Sequence, residues 1–146
     1  MGGYTALMGL FLSLCGAFAA WFRASDRELP ERVPPGDLAL IAVATHKLSR
    51  LIAKDRVTSS FRAPFTRFEG DAGPSEVDEA ARGHGLRRAV GELLICPYCL
   101  GLWVSCAFLG GLTVSPRPTR WLASVFAVLT GADVLQIAYK QAEEQL

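Results

Sequence analysis

Three long runs of this chain carry almost no charge, and they decide what solvent it can fold in. Tyr4–Phe22 is 19 residues without a charged side chain, Leu93–Val114 is 22 such residues, and Trp121–Tyr139 is 19 residues with one acid, Asp133. As helices rising about 1.5 Å per residue they reach roughly 28, 33 and 28 Å, against a bilayer core of about 30 Å. In hydrocarbon every backbone amide and carbonyl must be satisfied inside the chain, so runs of this length read as helices. Composition agrees. Hydrophobic residues make up 51% and charged residues 20%, where a soluble domain carries about 25% charged residues. Mean hydropathy is +0.27. The expected fold class is all-α, a small polytopic membrane helical bundle with three to four transmembrane helices and one cytoplasmic loop.

A fourth stretch, Asp37–Ile52, is shorter and mixed. Its apolar part, Leu38 to Val43, is followed by His46, Lys47 and Arg50. It fits an amphipathic helix lying on the membrane or a short span whose basic end reaches up to the headgroups. The clustering of the basic residues at one end favours the span. The first run also has a competitor, a secretory signal, because Ala17-Phe18-Ala19 resembles a cleavage box. No Lys or Arg precedes it and it exceeds a usual signal core, so a retained helix is expected over residues 1–24. Residues 37–140 then form the main membrane domain, with a helix at 37–52, a loop at 53–91 and a hairpin of helices at 93–114 and 121–139.

Orientation follows from counting Lys and Arg near the spans. The 53–91 loop holds seven: Lys54, Arg56, Arg62, Arg67, Arg82, Arg87 and Arg88. The 23–36 connection holds Arg23, Arg27 and Arg32, and the 114–120 turn holds Arg117 and Arg120. Four spans therefore place the long loop and both termini in the cytoplasm. Pro30, Pro34, Pro35 and Gly36 break the chain before Asp37, which is suited to cap the second helix. Pro116 and Pro118 stiffen the last turn. Residues 70–85 read as a flexible segment.

Composition also excludes classes of function. A net charge of +1 gives no basic field for nucleic acid. Four scattered cysteines do not make a disulfide-stapled secreted miniprotein. The apolar content rules out disorder over most of the chain.

Cys96-Pro97-Tyr98-Cys99 is the sharpest local signal. Proline suits a helix's first turn, where its missing N–H costs nothing. Cys96 can then cap that turn, with Cys99 on the same face and the helix dipole favouring a thiolate. Three readings stand: small packing residues, half of a zinc site, or a reversible dithiol. The tetrapeptide is identical to the active-site motif of many glutaredoxins, yet the βαβ context that such a fold needs is missing. A closed zinc site needs four ligands. Cys106 lies seven residues beyond Cys99, roughly 10 Å along the helix, and Cys15 lies in the first span, which leaves His46 and His84 as candidate partners, or a second Cys-x-x-Cys pair across a dimer. No cofactor is expected beyond this zinc alternative.

Asp133 is the second signal, because an acid inside an apolar helix faces a partner or water. A pair with Arg50, locking two helices, is the expectation; a proton or ion relay is the alternative. Phe61, Phe65 and Phe68 alternate with Arg62 and Arg67. They read as a loop resting on the inner leaflet, rings in the interface and arginines on anionic lipid. Gly9 with Ser13, Gly16 with Ala20, Gly101 with Ser105 and Cys106 with Gly110 have helix-packing spacing. They support a compact bundle or a homo-oligomer, or contact with another membrane protein.

One order of residues resembles a known family. It runs Ala44-Thr45-His46-Lys47-Leu48-Ser49-Arg50-Leu51-Ile52, then Asp55, then Arg62-Ala63-Pro64-Phe65, then Gly91-Glu92-Leu93-Leu94-Ile95-Cys96-Pro97-Tyr98-Cys99-Leu100-Gly101-Leu102-Trp103. It is similar to the bacterial domain-of-unknown-function family numbered 1360, over about residues 37–140. The resemblance implies a small integral protein of a bacterial inner membrane, with sporulation as the one context attached to some members, and it implies no catalytic residue. The first helix stands as an addition before this core. Three functions remain: a non-enzymatic anchoring or organising component, a membrane thiol protein using Cys96 and Cys99, and an oligomeric transporter or channel subunit using Asp133.

Overall fold

A computed structural model describes residues 2–145. Its elements are α1 (Gly2–Ala24), α2 (Pro35–Lys54), α3 (Ser59–Arg62), β1 (Thr66–Gly73), β2 (Glu76–Ala81), α4 (Gly85–Leu94), α5 (Pro97–Val114) and α6 (Pro116–Glu143). The molecule is mostly helical, and the expected all-α class is corrected by a two-stranded antiparallel sheet. Three helices, α1, α5 and α6, are long and apolar enough to cross a membrane. The charges on α2 leave it outside that group.

The centre is a three-helix bundle of α2, α5 and α6. Ile41 and Ala44 of α2, Val104 and Phe108 of α5 and Ala123 of α6 form its buried core, flanked by Leu40, Leu48, Ile52, Leu112 and Phe126. Phe108 meets Phe126 edge-on at 6.4 Å. Asp37 at the start of α2 pairs with Arg120 near the start of α6, and Lys47 further along pairs with Asp133. These two helices are therefore parallel. α5 runs the other way, since Gly101 near its start faces Ser49 near the end of α2.

α1 lies outside this bundle, along α4 and α5 and in their direction. Tyr4 near its start donates a hydrogen bond to Glu92. Phe11 meets Trp103 edge-on at 5.0 Å, and Arg27 just beyond α1 donates to the Val114 carbonyl at 3.3 Å. The start of α1, the end of α2, the start of α5 and the end of α6 thus share one end of the molecule. The sheet sits at that end.

Proline sets two boundaries. Pro97 holds Cys96 in an extended conformation (φ −106°, ψ 100°), as the residue before a proline prefers. The helix expected over 93–114 is consequently split, with α4 ending at Leu94 and α5 starting at Pro97. Pro116 and Pro118 lie in the first turn of α6, where proline fits, so α6 starts five residues before Trp121 and only Ser115 separates it from α5.

The segment expected to be a flexible loop is the largest departure. Residues 70–85 contain most of a hairpin, β1 paired with β2 from Thr66↔Ala81 to Gly73↔Glu76. The turn is Pro74-Ser75, with Gly73 at φ +152° and Ser75 at φ +64°. Alternation of Val77 and its neighbours puts Val77 inside and Asp78 outside. The hairpin docks on α4 so closely that a Cβ on Gly91 would lie 2.5 Å from the Phe65 carbonyl oxygen.

Candidate functional site

Most residues of the family-like order converge at the hairpin end of the bundle. Arg62 holds that end together. Its Nε donates to Glu79 Oε2 at 2.7 Å, Nη1 to the Ile52 carbonyl at 2.5 Å and Thr58 Oγ1 at 2.6 Å, and Nη2 to the Asp55 carbonyl at 3.0 Å. One guanidinium therefore ties the last turn of α2, the following turn and β2. The Arg62 and Glu79 side chains are 1% and 2% exposed. Burial pushes the Glu79 carboxyl up, but hydrogen bonds from Arg62 and Ser59 and the Arg62 charge outweigh it and hold the group below its ordinary value. The expectation that Arg62 meets anionic lipid is corrected. A fork of donors that satisfies two helix-end carbonyls and a buried carboxylate has no surface role.

The other loop residues divide. Phe61 and Phe68 are exposed, 80% and 58%, and Phe65 is partly covered. Arg67 is exposed and paired with Glu69 at 2.7 Å. Three more basic residues of this end meet acids of the hairpin: Arg50 with Glu76, Lys54 with Asp78, and Arg56 with Asp71. No sequence signal paired them in advance, because the hairpin itself was unread.

The expected Asp133–Arg50 pair is also corrected. Asp133 Oδ2 accepts from Lys47 Nζ at 2.5 Å, while Arg50 makes two parallel bonds to Glu76 at 2.7 and 2.8 Å. Three residues on a helix rotate the side chain by about 300°. Lys47 therefore faces α6 and Arg50 faces the hairpin.

Cys96 and Cys99 are free thiols at the start of α5, partly covered and exposed respectively. The Cys99 amide donates to Cys96 Sγ at 3.2 Å, so the thiol caps the helix as expected. Both cysteines line a cleft of about 460 Å³ between α1, α4 and α5, together with Tyr4, Glu92 and Trp103. Neither candidate histidine joins them in a ligand set. His84 is the exposed residue before α4. His46 lies on the other side of the α5 start, in a cavity lined also by Ala42, Thr45, Ser49, Arg50, Pro97, Tyr98 and Gly101. Among the described residues, no three His, Cys, Asp or Glu side chains are grouped to hold a metal ion.

The site is thus a polar, ion-paired cap on one end of a greasy helical bundle. Fold and site define a small helical-bundle protein with three helices long and apolar enough to cross a membrane. The chain belongs to the family described as "Protein of unknown function (DUF1360)", whose model matches residues 40–139. It is 29% identical over 102 residues to "Sporulation protein YjcA" of Bacillus subtilis (strain 168), an alignment that covers 68% of this chain and 86% of that one. No solved structure matches.

Proposed function

We propose that this is a multi-pass protein of a bacterial cytoplasmic membrane that organises or anchors partners there and is not an enzyme. The observation that carries the membrane reading is the outer face of the helices. Apolar windows in α1, α5 and α6 are only 6%, 11% and 6% buried inside the molecule. Exposed Leu12, Trp21, Leu102, Trp121, Val128 and Leu135 leave those helices with apolar exteriors, far beyond the patch a soluble monomer tolerates. α2 completes a fourth crossing because its inward charges are matched by α6 partners, Asp37 by Arg120 and Lys47 by Asp133. The hairpin cap and both termini lie on the cytoplasmic side, where the basic residues of the 53–91 segment belong. The bacterial setting draws support from the Bacillus subtilis relative. Gly9 and Gly16 of α1 have open space around them, and this face suits a second copy or another membrane protein.

Reporter insertions into the full chain test the topology. A fluorescent protein that matures only in the cytoplasm should light up when inserted at Pro74 and stay dark at Arg32 or Arg117. The opposite pattern reverses the orientation, and fluorescence at all three sites removes the crossings.

The thiol pair supports a second reading. Cys96 and Cys99 share one cleft, three residues apart at a helix start. Redox exchange or metal binding by these thiols would make alkylation in intact membranes depend on reductant or on chelator. Free labelling of both in every condition leaves them as packing residues.

A further inference from the structure

On the far side of the α5 start from the thiols, the end of α2 and the first turns of α5 enclose a cavity of about 310 Å³. Thr45 and Ser49 line it four residues apart on α2, and His46 and Arg50 repeat that spacing one residue later. Ser49 is 2% exposed. Its Oγ points at α5, 3.9 Å from where a Cβ would stand on Gly101. Among the described residues neither Ser49 Oγ nor Thr45 Oγ1 has a hydrogen-bond partner, although both atoms are buried. Such a group costs free energy unless something satisfies it. A helical Ser or Thr has an easy way out, its own carbonyl four residues back. Other hydroxyls of this chain take it, as Ser124 does with the Arg120 carbonyl and Thr130 with the Phe126 carbonyl. These two do not.

No carboxylate lines the cavity. Arg50 lines it with its Nε and Nη2 already bonded to Glu76, and the imidazole of His46 offers an N–H in either protonation state. The start of α5 adds the positive end of a helix dipole. Its early amides are accounted for except one: Pro97 has none, the Cys99 amide bonds Cys96 Sγ and the Leu100 amide bonds the Cys96 carbonyl. The Tyr98 amide is left in the first turn. Two unpartnered hydroxyls, an imidazole and a helix N-terminus around a small space match a tetrahedral oxyanion. We infer that the cavity between α2 and the start of α5 is a phosphate-binding site. The phosphate comes either from an anionic lipid headgroup or from free phosphate. The lipid source rests on the membrane reading above; the site itself does not.

The test is thermal unfolding of the full chain in neutral detergent, followed by its tryptophan fluorescence. Inorganic phosphate is compared with chloride at equal ionic strength, and micellar phosphatidylglycerol with diacylglycerol, which lacks the phosphate. The wild type should melt higher with a phosphate-bearing probe than with its control, since a ligand that binds the folded state stabilises it. Thr45→Val with Ser49→Ala removes the two hydroxyls at nearly constant volume. It should weaken binding about tenfold or more while melting no lower than wild type without probe. Gly101→Ala, which puts a methyl group into the same space, should weaken it too and guards against misfolding of the double variant. A response to inorganic phosphate assigns free phosphate, and a response to phosphatidylglycerol alone assigns the headgroup. Absence of a shift with both probes, or equal shifts in wild type and both variants, overturns the site. Neither outcome depends on whether the chain fractionates with membranes, so failure of the membrane reading shows up separately.

Discussion

Arg62 is the residue on which the capped end depends. Removing one partner of a buried ion pair leaves the other charge uncompensated and costs about 3–5 kcal/mol. Arg62→Met should lower stability by that order, and Arg62→Met with Glu79→Leu should recover much of it, read as denaturant or thermal midpoints in detergent. The pair also sets a pH dependence. The folded Glu79 carboxyl titrates below its ordinary value, so its stabilising contribution is complete above the unfolded pKa, about 4.3, and is lost as pH falls through the lowered folded value. Acid melting should show this loss in wild type and not in the double variant. Gly91 makes a second residue-scale prediction. A Cβ there would stand 2.5 Å from the Phe65 carbonyl oxygen and 3.0 Å from the Ala81 Cβ. Gly91→Ala should therefore cost about 1–3 kcal/mol, whereas Gly9→Ala, with open space around it, should not destabilise. The sequence displayed Arg62 and Gly91 among its notable residues but not their roles. Arg62 sits between phenylalanines and looks interfacial, and while Ile52, Asp55 and Thr58 lie within ten residues of it, its acid, Glu79, is on the hairpin that only the folded chain brings to it.

At the scale of elements, the helices were legible because their signal is local. A charge-free run of membrane length needs no partner to declare itself, and α1, α5 and α6 stand close to where those runs lie. The hairpin was not legible. Its strands are mostly polar, with Val77 as a lone buried apolar residue, and the Gly-rich stretch around Pro74 reads equally as linker or turn. What secures it is non-local: Arg50, Lys54 and Arg56 reaching its acids, and α4 beneath. The register of α2 against α6 was missed by one turn for a related reason. Lys47 and Arg50 offer the same charge at nearly the same depth, and only the position of the hairpin decides which of them turns toward α6. A double-mutant cycle separates them. Lys47→Met and Asp133→Leu should show a coupling of about 0.5–3 kcal/mol, while Arg50 and Asp133 should be additive.

Across the whole molecule, polar and apolar surfaces are segregated along the bundle. Most ion pairs, the sheet, the oxyanion-type cavity and the thiol cleft gather at or near one end, the Asp37–Arg120 pair stands at the other, and the apolar helices extend between them. That division is what a chain solvated by lipid along its length and by water at its capped end requires. It also explains why composition spoke early about location and said little about activity. The apolar runs point to a lipid solvent, whereas the sites are built from Ser49, His46, Glu79 and Glu92, ordinary residues made particular by their neighbours. The most direct measurement is fractionation of cells expressing the full chain. After an alkaline carbonate wash that strips peripheral proteins, the chain should stay entirely with the membrane pellet and leave it only in detergent. Recovery in the detergent-free supernatant as a folded, monodisperse particle would contradict the account.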